Sequence, residues 1–238
     1  MTLYIGTSGF AYKEWKPNFY PEDLPQSKFL SFYSRSLGAC EINATFYRLQ
    51  KPDTFDRWAH DVPESFRFAA KVHRRLTHTR TIAPDENARS FLTAYLSALA
   101  GLGDKLGPIL FQFPPYRKRD DDALGKLLEA LPQGPQVAFE FRDDSWYASD
   151  VTERIAARGA LCIADTTGDP PQELPPGPIG YIRLRAERYT DAQRDRWLDL
   201  LSKEATTRDV FAFTKHEGTP ADDPYAGLGL ARWLFAQT

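Results

Sequence analysis

The chain contains only two cysteines, Cys40 and Cys162, each inside an apolar run. That excludes a disulfide framework, and no Cys/His spacing matches a zinc site. A reducing, cytosolic setting is the expectation. Long apolar runs are also missing: no stretch reaches the ~20 residues of a membrane helix. The start, Met1 to Gly6, enters a strand with neither the charged segment nor the apolar core of a secretory leader, so no membrane partner is expected. Charge of one sign is scarce: 30 Lys and Arg face 32 Asp and Glu, for a net charge of −2. This argues against a broadly basic nucleic-acid surface, though not against a local basic patch. No Gly-x-Gly-x-x-Gly follows the first strand, so nothing favours a dinucleotide fold. Neither an internal repeat nor a compositional break is present, and 238 residues are read as one domain, 1–238.

Eight short apolar runs are present: Leu3–Ile5, Cys40–Asn43, Phe66–Val72, Ile109–Phe113, Val137–Arg142, Leu161–Ala164, Gly180–Leu184 and Val210–Thr214. Between most of them lie stretches of helical spacing: Ser27–Leu37, Pro52–Ala59, Asn87–Leu102, Asp120–Leu131, Trp146–Arg158, Thr190–Ala205 and Asp222–Ala236. Strands alternating with helices predict an α/β fold with parallel strands, and eight such units predict a (β/α)8 TIM-type barrel. Two features interrupt the pattern. A long aromatic loop carrying Tyr12, Trp15, Phe19 and Tyr20 follows the first strand, and an irregular Pro/Gly-rich loop, Thr166–Pro178, follows the sixth.

Strand side chains alternate faces, and in most of these runs one face ends in polar residues. Glu41 and Asn43 share a face, as do Glu140 and Arg142. Lys71, Gln112, Arg183, Asp165 and Lys215 stand at or just beyond the ends of their runs, while the bulky aromatics are expected on the helix side. In a barrel, the C-terminal strand ends are where sites are built. Any one of these residues alone reads first as part of an inert, mutually paired polar layer. The whole set, biased to one end, favours a site. Glu140, Glu41 and Asp165 are the candidate catalytic carboxylates. Lys71, Arg142, Arg183, Arg48 and Lys215 would clamp a small anion such as a phosphate or carboxylate. Thr7, in the small-residue turn Gly6–Gly9, would offer a hydroxyl beside backbone N–H groups. Tyr12, Trp15, Tyr47 and Trp146 form either an aromatic wall or a lid core, and His78, Asn43 and Gln112 are further binding candidates. No spacing demands a metal, and no cofactor follows.

The motifs Gly6-Thr-Ser-Gly-Phe-Ala-Tyr-x-x-Trp15, Phe19-Tyr-Pro21, Glu41-Ile-Asn-x-Thr-Phe-Tyr-Arg48, Lys71 with Thr77-His78, Gln112-Phe-Pro-Pro115 and Glu140-Phe-Arg-x-x-Ser-Trp146 occur in this order. In them the chain resembles the YecE-like family, a family of unknown function, over nearly its whole length. The resemblance implies a TIM-type barrel with these positions lining its cleft, and it implies no reaction. The chain departs from it near the eighth strand, where Phe213-Thr-Lys-His216 stands in place of an Asn-Asn pair. The expected activity is that of an enzyme, a hydrolase or isomerase, on an anionic substrate. The alternatives are a nucleic-acid-binding or phosphodiester-processing protein, and a non-catalytic anion-binding module.

Overall fold

The structure is a computed structural model and describes every residue except 132 and 135. Among the described residues, nine parallel β segments form one sheet: β1 (Leu3–Ser8), β2 (Ala39–Ile42), β3 (Arg67–Lys71), β4 (Leu106–Gln112), β5 (Val137–Glu140), β6 (Ala160–Leu161), β7 (Ile163–Asp165), β8 (Ile179–Leu184) and β9 (Asp209–Thr214). Their spatial order is β6-β5-β4-β3-β2-β1-β9-β8-β7. The two ends of that order, β6 and β7, are separated in sequence only by Cys162, whose N–H donates to the Phe139 carbonyl at 2.8 Å. The predicted sixth strand is therefore split. Its first half pairs with β5 and its second with β8, and together they close an eight-stranded α/β barrel.

The connections follow the predicted pattern, with most helices shorter than expected and two one-turn helices, Ala44–Tyr47 and Arg74–Thr77, added. They are α1 (Phe29–Tyr33), α2 (Ala44–Tyr47), α3 (Pro52–His60), α4 (Arg74–Thr77), α5 (Glu86–Leu99), α6 (Asp121–Ala130), α7 (Ser149–Ala156), α8 (Asp191–Glu204) and α9 (Gly227–Phe235). Where the sequence carries clear capping chemistry, the boundary falls within a residue of expectation: Thr190 and Gln193 form a reciprocal capping box at the start of α8. The predicted Ser27–Leu37 helix is reduced to a 3-10 turn at Gln26–Lys28 followed by one short α-helix. No helix lies between β7 and β8, where the Pro/Gly-rich loop runs.

The run Gly6-Thr7-Ser8 belongs to β1, and the turn starts at Gly9 with φ 99°. This corrects the reading of Gly6–Gly9 as a small-residue turn open to phosphate. A Cβ at Gly6 would lie 1.9 Å from the Ala39 carbonyl oxygen, so glycine there serves the close approach of β1 to β2. The Thr7 N–H donates to the Tyr33 hydroxyl at 2.8 Å, and that hydroxyl donates to the Ala39 carbonyl at 2.9 Å.

The barrel interior is layered. Ala39, Ala69, Leu110, Ala138, Ala160, Cys162, Tyr181, Phe211 and Phe213 pack with Tyr4 as an apolar lower plug. Phe111, Phe113, Phe139 and Phe141 face the helices as expected. Tyr181, Phe211 and Phe213 face inward instead, against the expectation for bulky aromatics. They pack in one buried cluster with the small Ala39, Ala69 and Ala138, large residues compensating for small ones.

Candidate functional site

Above the plug, the same alternation that sends apolar residues inward delivers polar ones. On β2, Ala39 is followed two residues later by Glu41. On β8, Tyr181 is followed by Arg183 and then by Arg185 just beyond the strand. Glu41 is wholly buried and its carboxylate accepts four donors. These are Ser8 Oγ at 2.6 Å, Tyr181 OH at 2.7 Å, Arg183 Nη2 at 2.9 Å and Arg185 Nη2 at 3.3 Å. Glu140, 1% exposed, accepts from Gln112 Nε2 at 2.6 Å, Arg183 Nη1 at 2.6 Å and Arg142 Nε at 3.3 Å. Gln112 and Glu140 are register partners on β4 and β5. Arg183 thus spends both terminal nitrogens on two different carboxylates and ties β8 to β2 and β5 across the barrel.

This network floors a cavity of about 1270 Å3 at the C-terminal strand ends. Tyr12, Asn43, Tyr47, Lys71, Gln112, Glu140, Arg142, Arg183, Arg185, Lys215 and His216 are among the residues that line it. Lys71 ends β3, and its Nζ stands 4.2 Å from the centroid of the Phe46 ring. Neither Lys71 nor Lys215 has an ion-pair partner among the described residues. Asn43 caps the start of α2 by position, and its Oδ1 is buried with no hydrogen-bond partner. The His216 ring stacks on Tyr12 at 4.0 Å and its Nε2 approaches Glu217 at 3.2 Å.

Burial by itself would raise the Glu41 pKa, but the charges of Arg183 and Arg185 and the Ser8 and Tyr181 hydroxyls bring it down to about 2. Glu140 is lowered in the same way: burial opposes, and Arg183, Gln112 and Arg142 outweigh it. Arg183 is held protonated by the two carboxylates against its burial. Burial lowers Lys71 to about 8, with the Arg183 charge adding to the effect. His216 is lowered by burial despite Glu217. Both carboxylates are therefore ionised at neutral pH, and Lys71, brought down to about 8, is the lining cation moved towards it.

The remaining sequence-named residues lie elsewhere. Asp165 shares a face with Ile163, on the helix side. It accepts the Thr167 and Gly168 N–H groups at 2.9 Å and the Tyr189 hydroxyl at 2.6 Å, so it caps the following loop and does not line the cavity. Thr7 is fully buried and donates to the Gly9 carbonyl at 2.6 Å. Trp15 and Trp146 are core residues: Trp15 packs among Tyr12, Phe19, Tyr20 and Tyr33, and Trp146 stacks on Phe141 while its Nε1 donates to Arg117 O at 2.7 Å. Arg48 is exposed at the end of α2 and outside the cavity. His78 lines a second, smaller cavity of about 440 Å3 and meets Phe46 edge to face, with ring centroids 5.1 Å apart. Sequence reasoning missed Arg185, Ser8 and Tyr181. The alternation signal could have found the first and last, each two residues from Arg183. Among the described residues, no three His, Cys, Asp or Glu side chains gather as a metal site would need.

Comparison with known proteins places this barrel. The chain is 28% identical over 157 residues to the UPF0759 protein YunF of Bacillus subtilis (strain 168), covering 64% of the chain and 55% of that protein. It is 26% identical over 168 residues to the UPF0759 protein YecE of Escherichia coli (strain K12), covering 70% of the chain and 59% of that protein. The matched segment thus spans little more than half the length of these relatives. The crystal structure of a DUF72 family protein from Thermotoga maritima superposes with a TM-score of 0.76 at 21% identity, over 100% of this chain and 98% of that one. At that identity the likeness speaks for the fold. A sequence profile described as "Protein of unknown function DUF72" matches residues 4–234, nearly the whole barrel, and on that match the chain belongs to the DUF72 family.

Proposed function

We propose that the chain is an enzyme that acts on a small anionic substrate, bearing a phosphate or carboxylate, bound at the C-terminal mouth of the barrel. The observation that carries this reading is the cavity wall: Lys71 and Lys215 enter it without carboxylate partners, beside a half-exposed Arg142. An unpaired, largely buried ammonium costs stability, and an incoming anion would supply the missing partner. Arg183 is not the anion clamp in this reading, because Glu41 and Glu140 already occupy its fork. Those two carboxylates set the electrostatics of the floor. A carboxylate at about 2 is a poor general base near neutral pH. Glu140 is lowered likewise, so in this reading proton transfer falls to Lys71, brought down to about 8 by burial.

Thermal shift in a phosphate and sulfate series, at fixed ionic strength with chloride as control, tests the reading. A ligand at a hundred times its dissociation constant adds roughly 2.7 kcal/mol. The expected result is a rise for the oxyanions that the double variant Lys71→Met with Lys215→Met loses. Equal melting in all three salts would leave the polar layer as an inert network.

A further inference from the structure

Among the described residues, the buried Lys105 and the half-buried Lys71 are treated differently. Lys105 Nζ donates to the Ala59 carbonyl at 2.7 Å and the Val62 carbonyl at 2.9 Å, and pairs with Glu64 at 3.0 Å. It is a satisfied structural cation. Lys71 Nζ has no hydrogen-bond acceptor among the described residues and rests only on the face of Phe46. The nearby carboxylates that would pair with it, Glu41 and Glu140, are engaged by Arg183. Its main chain is held rigidly: the Lys71 carbonyl accepts Thr45 Oγ1 at 2.7 Å and Tyr95 OH at 3.0 Å, at the last position of β3. The amine is thus anchored on a strand end, aimed into the cavity and left without a partner.

We infer that Lys71 is an amine nucleophile, and that the substrate carries an aldehyde or ketone group with which it condenses to an imine. This rests on the reading of the mouth as an anion-binding pocket, and it adds a carbonyl to the substrate's description. In the step the free amine attacks the carbonyl carbon and a C–N bond forms. The carbonyl oxygen departs as water, its two hydrogens those of the original amine, and no oxidant or reductant is consumed. Protonation of the imine nitrogen then makes the adjacent carbon electron-poor. Lys215 and Arg142, on other strand ends of the same cavity, would hold the anionic group.

Burial is the first reason that Lys71 favours its free amine, and the charges around it act in both directions. Arg183 from β8, Arg142 beyond β5 and the desolvation of the site all disfavour the ammonium; Glu41 from β2 and Glu140 from β5 oppose them, and the net position is about 8. His78, packed against Phe46, is itself lowered, chiefly by burial and then by the Lys71 charge. A lysine at about 8 holds of the order of 100-fold more free amine at neutral pH than an ordinary one. A desolvated lysine beside another cation is the setting in which amines act as nucleophiles.

The probe is pyridoxal 5′-phosphate, an aldehyde carrying a phosphate. Full-length protein is incubated with it, reduced with sodium borohydride so that hydride converts the imine to a stable secondary amine, and mapped by peptide mass spectrometry. Pyridoxine 5′-phosphate, which has the phosphate but no aldehyde, and inorganic phosphate are read in parallel by thermal shift. The expected result is saturable label on Lys71, about tenfold or more above any exposed lysine, rising in rate through about pH 8 and suppressed by inorganic phosphate. Lys71→Arg, which keeps the cation, should lose that label and still be stabilised by phosphate. The mapping is done on the wild-type chain, so a misfolded variant would not spoil it. Stabilisation by both phosphates with label scattered over exposed lysines would overturn the imine and leave the anion pocket standing. No stabilisation and no label on Lys71 would overturn both. Label on Lys71 without stabilisation by either phosphate would keep the imine and remove the anion pocket.

Discussion

Arg183 is the residue on which the site's electrostatics turn, because it neutralises two carboxylates that are 0% and 1% exposed. Removing one partner of a buried ion pair leaves an uncompensated charge and costs about 3–5 kcal/mol. Arg183→Met should lose that much at pH 7 by urea unfolding. The pH dependence has a defined sign. Glu41 sits at about 2 in the fold against about 4.5 unfolded. Its contribution, roughly 3 kcal/mol, is present above the higher value and lost as pH falls towards the lower one. In Arg183→Met the freed carboxylates are raised by burial and take up protons, so the two stability curves should converge in acid; curves that stay parallel would contradict this. Lys71 has the opposite sign. Lowered from 10.5 to about 8, it opposes folding at neutral pH, and the fold gains stability as pH rises between the two values. Lys71→Met should therefore be more stable than wild type by roughly 1–3 kcal/mol at pH 7, with the gap closing above about pH 10.5. A destabilised variant would show that the ammonium has a structural partner after all.

At the scale of elements, the first strand is locked by a glycine and a tyrosine that the sequence pattern does not distinguish from a loop. Gly6 allows the β1 backbone to meet the Ala39 carbonyl, and Tyr33 from α1 bridges Thr7 and Ala39. Gly6→Ala places a methyl at 1.9 Å from that oxygen. The strands must separate, at a cost of about 3 kcal/mol, seen as a lower denaturation midpoint with an unchanged slope. An unchanged midpoint would mean that the β1–β2 register is slack. Periodicity showed where this strand begins but not where it ends, since Gly-Thr-Ser carries no apolar signal. The split of the sixth strand at Cys162 was equally hidden: its two halves answer to neighbours that lie far apart in the chain, β5 and β8.

For the molecule as a whole, the barrel is apolar below and polar above, and the two cysteines stand on opposite faces of its wall. Cys40 packs on the helix side and Cys162 in the interior plug. Both are buried and free, and burial pushes both thiols up. A protonated, buried thiol is inert. The native protein should resist a disulfide-exchange reagent such as dithiobis(nitrobenzoate), and the unfolded chain should release two equivalents. Rapid native reaction would indicate that the reagent reaches Cys162 through the cavity that it helps to line. No described helix is long and apolar enough to cross a membrane.

The sequence alone determined the alternation of strand and helix, the barrel it implies and the family likeness. It also determined that Glu41, Lys71, Gln112, Glu140 and Arg183 stand at strand ends, because all of these depend on neighbours a few residues away. The tertiary structure decided which of the polar residues meet. Glu41 and Arg183 are 142 positions apart and touch only through the closure of the ring. Tertiary packing also took Asp165 to the Tyr189 hydroxyl and put Trp15 and Trp146 into the core. It also left Lys71 without a partner by giving both nearby carboxylates to one arginine. A side chain's partner is set by strand register and barrel shear, which sum over every strand between the two residues, and no local pattern carries that sum.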